Sequence, residues 1–312
     1  MGTRWTIKPP SDYLLRRDVC SYGYFLLEPN HWDPRLGVFS RILELPGGPA
    51  RLDLAQPGRR GSPLVVRADR ALDKPDRLTA GRLLSRLLRL DEGPDTIREF
   101  HRVDPRWKKA GRGRLMRSPS FFEDVIKTVT SCNVTWPSTV TMNRRLCEVV
   151  GLGGAFPGSK RLARTRPATL RARCRVGYRD ARIIELAHMF ASGEVDPEWF
   201  EDPATADDDI HAALLEWPGI GPYAAANIMQ LLGRYHRLPL DTESVRHGKT
   251  ILGMKGGDRQ IMNRMHDHFA PFGRHAFRSY WFELWNFYEA KRGPSWTWDK
   301  EVVGSSFTAA QF

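Results

Sequence analysis

The chain has 312 residues, 41% hydrophobic and 27% charged, the balance of a soluble globular protein with enough length for two domains and a sizeable core. A net charge of +12 favours an acidic polymer as partner, while no apolar run is long enough to span a membrane and the N-terminus lacks the apolar stretch of a signal peptide. The four cysteines, Cys20, Cys132, Cys147 and Cys174, include no C-x-x-C pair, which argues against a zinc ribbon or an iron–sulfur cluster and reads as buried thiols in a reducing compartment.

Residues 1 to about 70 read as β-rich. Strands are expected at Tyr22–Leu27, Val38–Leu45 and Leu64–Val66, with turns at Gly47-Gly48-Pro49 and from Gly58 to Pro63. Met1-Gly2 with Thr6 matches a minimal myristoylation pattern that many chains share. From about Thr79 the pattern becomes helical, with Leu83, Leu84, Leu87, Leu88 and Leu90 as the apolar stripe. Arg106 to Arg117 is basic and contains glycine; it reads either as a solvated loop or as a phosphate contact.

Ser120 and Glu123 form a capping-box pattern for a helix that runs on to Ser131-Cys132-Asn133. A loop from Asn133 through Trp136 leads to a second helix, Thr139 to Val150, which ends at Gly151. Another helix follows Gly177-Tyr178-Arg179, with Tyr178 as a packing residue. Asp208 to Glu216 is a short helix, broken by Trp217-Pro218-Gly219-Ile220-Gly221. Pro222 suits the first turn of a further helix, Tyr223 to Leu232, ending at Gly233. Two glycines before a helix start leave amides free to meet a phosphate; the plain alternative is an ordinary αα-hairpin.

Twenty residues past Gly221, Asp241 ends the short run Leu238-Pro239-Leu240 and stands where a helix N-cap would. Helices are expected at Val245–Leu252, Met262–Phe269 and Ala276–Glu289, the last carrying Phe277, Tyr280, Trp281, Trp285 and Tyr288. After Pro294 the chain reads as irregular and peripheral.

Pro218-Gly219-Ile220-Gly221, the alanine-rich helix and Leu238-Pro239-Leu240-Asp241-Thr242 together resemble the helix-hairpin-helix DNA glycosylases. The likeness extends to two branches, the DNA-3-methyladenine (alkylpurine) glycosylase II type and the 8-oxoguanine type. It implies an α+β fold, with a small N-terminal antiparallel β-sheet domain (1–75) packed on a larger all-helical core (76–312) that holds the hairpin at 208–234. It also implies that Asp241 is the catalytic carboxylate. Gly219, Ile220, Gly221, Tyr223 and Ala224 would hold the DNA backbone. Asn133, Val134 and Thr135 would fill the gap left by a flipped nucleotide, and Tyr223, Trp281, Trp285 and Trp136 would form the base pocket.

Cleaving an N-glycosidic bond leaves a cationic sugar that a carboxylate stabilises, and a base inside a duplex must flip out to be reached. Relatives that also nick the strand place a lysine two residues after the second hairpin glycine, to form a Schiff base. Here that residue is Tyr223, which implies a monofunctional hydrolase of alkylated purines. An 8-oxoguanine or deaminated-base glycosylase on the same scaffold, or a non-catalytic DNA-binding protein, are the alternatives. The resemblance implies no metal and no cofactor, with room only for a monovalent cation at the hairpin. The implied partner is double-stranded DNA containing a damaged base, met by a monomer inside the cell, in a bacterial nucleoid or a nucleus.

Overall fold

Phe39 stands opposite Leu54, and Leu54 opposite Val66, across three antiparallel strands, and none of the three side chains reaches solvent. This shared face belongs to a five-stranded sheet of β1 (Arg4–Ile7), β2 (Asn30–Asp33), β3 (Val38–Leu45), β4 (Gly48–Ala55) and β5 (Leu64–Ala68), in the order β1-β5-β4-β3-β2. The computed structural model describes residues 2–300; Met1 of the myristoylation pattern and residues 301–312 lie outside them.

The body of the molecule is helical: α1 (Lys74–Leu87), α2 (Pro94–Val103), α3 (Phe121–Ser131), α4 (Trp136–Val149), α5 (Asp180–Ser192), α6 (Asp207–Leu215), α7 (Pro222–Leu232), α8 (Thr242–Thr250), α9 (Asp258–Phe269) and α10 (Ala276–Arg292), joined by shorter turns. The architecture is α+β, a small antiparallel sheet against a larger helical body. The expected boundary at residue 75 falls in the first turn of α1, seven residues past the end of β5.

Two hydrophobic cores underlie it. One joins the sheet to α1, α9 and α10. The other is built from α3 to α7. Polar side chains cross between them. The Tyr22 hydroxyl donates to Asn227 Oδ1 (2.9 Å), and Asn227 Nδ2 donates to Thr128 Oγ1 (2.9 Å). Arg41 of β3 pairs with Glu123 of α3 at 2.6 Å, and Lys127, one turn on, lies 2.7 Å from the same carboxylate. All three side chains are buried. Burial alone would raise the Glu123 pKa, but Arg41 and Lys127 bring it below its ordinary value.

Several local expectations are corrected. Tyr22–Leu27 is not a strand. Gly23–Leu26 forms a 3-10 turn with every side chain buried, and a continuous apolar run does not distinguish the two. The turn expected at Gly47-Gly48-Pro49 is shorter, since Gly48 and Pro49 already pair with Leu45 and Glu44 in β4. The basic segment 106–117 is largely structural. Both Arg114 Nη atoms bind the Asp12 carboxylate at 2.7 and 2.9 Å, and Arg117 Nη2 reaches Asp91 at 2.6 Å. Ser120 caps α3 by accepting from the Glu123 amide at 3.3 Å, while the Glu123 side chain is drawn away to Arg41. The segment after Pro294 is packed through Lys300. Trp298 is buried against Trp285, with centroids 5.2 Å apart, and Trp32 Nε1 donates to the Trp296 carbonyl at 2.7 Å.

Removing Glu123 would strand two buried cations. Glu123→Ala is therefore expected to lower the free energy of unfolding by about 3–5 kcal/mol in urea denaturation. A loss under about 1 kcal/mol would contradict the role given to this cluster as the link between sheet and helices.

Candidate active site

Asp241 leaves an extended segment and opens α8, so its side chain can turn back onto the free amides of the first turn. Its Oδ1 accepts from Glu243 N (3.0 Å), Ser244 N (3.0 Å) and Ser244 Oγ (3.1 Å). Its own amide donates to Ser244 Oγ at 3.1 Å, and the Tyr280 hydroxyl lies 2.7 Å from that same oxygen. Every one of these carboxylate bonds falls on Oδ1. Oδ2 takes none of them. The carboxylate is thus fixed in position, as the N-cap expectation required. Burial pushes the Asp241 pKa up, and the bonds from Ser244 and Glu243 only partly offset that.

Asp241 lines a cavity of about 440 Å³ at the seam between the two cores. One wall is α10, whose residues Phe277, Trp281, Trp285 and Tyr288 share one helical face. Trp281 is anchored by its Nε1 donating to the Ser21 carbonyl at 2.8 Å, and Trp285 lies stacked behind it, centroids 5.3 Å apart. Tyr22 stands across from Trp281 at 4.6 Å. Trp136, the first residue of α4, completes the wall against Gly23, where an added Cβ would come within 3.1 Å of the indole. Trp136, Trp281 and Trp285 therefore line the cavity as expected. Tyr223 does not line it. It is the second residue of α7 and half-buried, and burial together with the neighbouring Asp241 carboxylate raises its phenol pKa well above the ordinary value.

The hairpin between α6 and α7 has the expected shape. Gly219 adopts φ +76°, a conformation side chains rarely take. Gly221 caps α7, and a Cβ there would meet nothing within 4 Å. Ile220 and Ala224 are buried, so only their backbone can face a ligand. The loop before α4 lies beside the cavity: Val134 and Thr135 line it, and Asn133 is exposed at φ +52°. Hairpin and loop are joined by one strip of side chains. Arg182 lies against Gly219, Tyr178 sits between Arg182 and Arg179, and Arg179 Nη2 donates to the Cys132 carbonyl. Tyr178, expected to be a packing residue, is 54% exposed.

Tyr22, Asn227 and Glu243, none of them expected in the site, also line the cavity. Tyr22 lay in an apolar run that read as a strand, and Asn227 carries no signal except its place one turn after Tyr223. Glu243 could have been found from its position two residues beyond Asp241. Among the described residues no lysine lines the cavity, and Lys249 is paired with Asp258 at 2.7 Å. No group of three or more His, Cys, Asp or Glu among the described residues could hold a metal ion.

No family model matches the chain, and no curated protein matches it significantly. Solved structures do. The 3-methyladenine DNA-glycosylase from Archaeoglobus fulgidus is similar at TM-score 0.64 and 18% identity, covering 88% of this chain and 97% of its own. The 8-oxoguanine glycosylase/lyase of Clostridium acetobutylicum, in complex with double-stranded DNA, is similar at TM-score 0.64 and 17% identity, covering 94% of this chain and 99% of its own. MBOgg1 in complex with a low-affinity DNA ligand gives TM-score 0.67 and 18% identity, covering 94% and 98%. The chain has the fold of these DNA glycosylases.

A raised Asp241 pKa means that folding favours the protonated carboxyl, a contribution lost as pH rises through the folded-state pKa. Asn keeps the cap and carries no charge to bury. Asp241→Asn is expected to melt at or above the wild-type temperature at pH 7. The gap should close on acidification, as the wild type regains its proton. A clear loss of stability at pH 7 would contradict the assigned burial.

Proposed function

We propose that this chain is a monofunctional DNA glycosylase of base excision repair. It flips a damaged, alkylated purine from the duplex and hydrolyses its N-glycosidic bond, leaving an abasic site. The observation that carries this reading is the Asp241 carboxylate, held by Oδ1 with Oδ2 left over, in an aromatic-walled cavity on a glycosylase fold.

The chemistry follows from that arrangement. As the glycosidic bond breaks, positive charge grows on the sugar, and a fixed carboxylate beside it lowers the barrier without reorganising. A unit charge pair about 4 Å apart at an effective dielectric of about 20 is worth about 4 kcal/mol, or about three decades in rate. A raised pKa also suits Asp241 to take a proton from the attacking water. The Tyr and Trp faces stack on a flat base, and they attract one made cationic by alkylation.

The strip from Gly219 through Arg182 and Tyr178 to the Asn133 loop gives the duplex a surface beside the cavity. Backbone amides at the hairpin and guanidiniums along the strip would meet phosphates, and an exposed loop would enter the gap left by the flipped nucleotide. Tyr223 supports the monofunctional assignment, because a phenol forms no Schiff base and no lysine among the described residues lines the cavity. Neither metal nor cofactor is needed for this route, and a monovalent cation at the hairpin would serve only to bind phosphate.

Asp241→Asn is expected to slow single-turnover base release by about a thousandfold while duplex affinity stays within a few-fold. The wild-type product should be an intact strand that breaks only after alkali, and borohydride should trap no protein–DNA adduct. Efficient trapping would overturn the monofunctional reading, and a wild-type-like rate in the variant would overturn the role of Asp241.

Gly221→Leu tests the hairpin without disturbing the fold, because its φ of −101° suits any residue and its Cβ meets open space. The variant should melt within a few degrees of the wild type, the cost of a poorer N-cap, yet bind every duplex sequence about tenfold more weakly, since backbone contacts carry no sequence information. Undiminished affinity would contradict the clamp.

A further inference from the structure

We infer that Glu243 makes the cavity selective for bases that carry a positive charge, and so is a specificity-determining residue distinct from the catalytic Asp241. The inference rests on the glycosylase reading of the same cavity. Its starting point is a contrast of charge. The chain carries a net +12, yet among the described residues the cavity lining includes two carboxylates, Asp241 and Glu243, and no lysine, arginine or histidine. Asp241 is accounted for by the reaction. Glu243 is not.

The two oxygens of Glu243 have different surroundings. Oε1 accepts from Arg246 Nε at 2.8 Å, from Arg246 Nη2 and from the Tyr288 hydroxyl. Oε2 is buried and has no hydrogen-bond partner. A buried carboxylate oxygen without a donor is unfavourable unless something else supplies one. Arg246 offsets part of the charge, but it does not line the cavity and does not reach Oε2. What remains is negative charge in the same cavity lining as the stacked faces of Trp281 and Trp285 and the ring of Tyr22. Aromatic faces with a carboxylate at their edge attract a flat cation.

A purine alkylated at N3 or N7 while still joined to its sugar is such a cation. An oxidised or deaminated purine is neutral. Neutral bases still offer N–H donors, which an amide oxygen would accept as well as a carboxylate does. Charge separates the two cases, and Glu243→Gln removes charge while keeping shape and acceptor.

The test titrates the protein with two free bases and follows tryptophan fluorescence. One is 7,9-dimethyladeninium, a permanent cation, and the other is neutral 9-methyladenine. Wild-type protein should bind the cation at least about tenfold more tightly. Glu243→Asp should keep most of that preference and Glu243→Gln should lose it. A wild-type preference near one overturns the inference without need of any variant, as does a preference that survives in Glu243→Gln. A parallel single-turnover assay on duplexes bearing 7-methylguanine or hypoxanthine separates this proposal from its premise. Release of both at equal rates by wild-type protein sinks the charge selection alone, whereas release of neither sinks the glycosylase reading and the inference with it.

Discussion

Burying a carboxylate is unfavourable, and this molecule does it at the start of α8. The penalty shows as the upward shift of the Asp241 pKa. It is tolerable because two backbone amides at a helix N-terminus and one serine hydroxyl converge on a single oxygen. That convergence also leaves Oδ2 outside these bonds. A residue exposed on a loop would be more stable and less useful, since solvent would screen its charge and free rotation would blur its position.

The surroundings of Asp241 extend this constraint outward. Tyr280 reaches the Ser244 hydroxyl that bonds Asp241, so α10 is registered against α8 by the same polar contact that holds the carboxylate. Once α10 is placed, its aromatic face forms one wall. Tyr22, from the segment that leads into the sheet, forms the other, held by Asn227 on α7. The helix that begins at the hairpin thus also positions a wall of the cavity. A displacement at the hairpin would be felt there. The sheet contributes through Arg41, Glu123 and Lys127, which fix α3, the helix that carries Thr128 into the same polar chain.

Much of this was legible in the residues. Gly219, Gly221 and Pro222 specify a tight hairpin and a helix start through backbone chemistry that depends on little else, and α7 lies where they put it. Asp241 as an N-cap is equally local. Spacing along residues 276–289 predicted a helix with an aromatic face, and the structure points that face into the cavity. The illegible parts depend on distant contacts. Tyr22 lies in an apolar run that fits strand and buried turn alike, and only its packing against Trp281 and Asn227 decides. Arg114 and Arg117 read as solvent-facing charges because their partners, Asp12 and Asp91, lie far away in sequence. Trp298 read as tail because nothing local announces that Trp285 is its neighbour.

The central claim is that Asp241 stabilises positive charge on the sugar of a flipped nucleotide. A duplex carrying a pyrrolidine in place of one deoxyribose mimics that charge, and a duplex carrying tetrahydrofuran at the same position has the shape without it. The most direct measurement is the ratio of their dissociation constants for wild-type protein and for Asp241→Asn. The account predicts that wild-type protein binds the cationic duplex at least about a hundredfold more tightly and that the variant binds the two about equally. Equal binding by the wild type, or a preference that persists without the carboxylate, would contradict it.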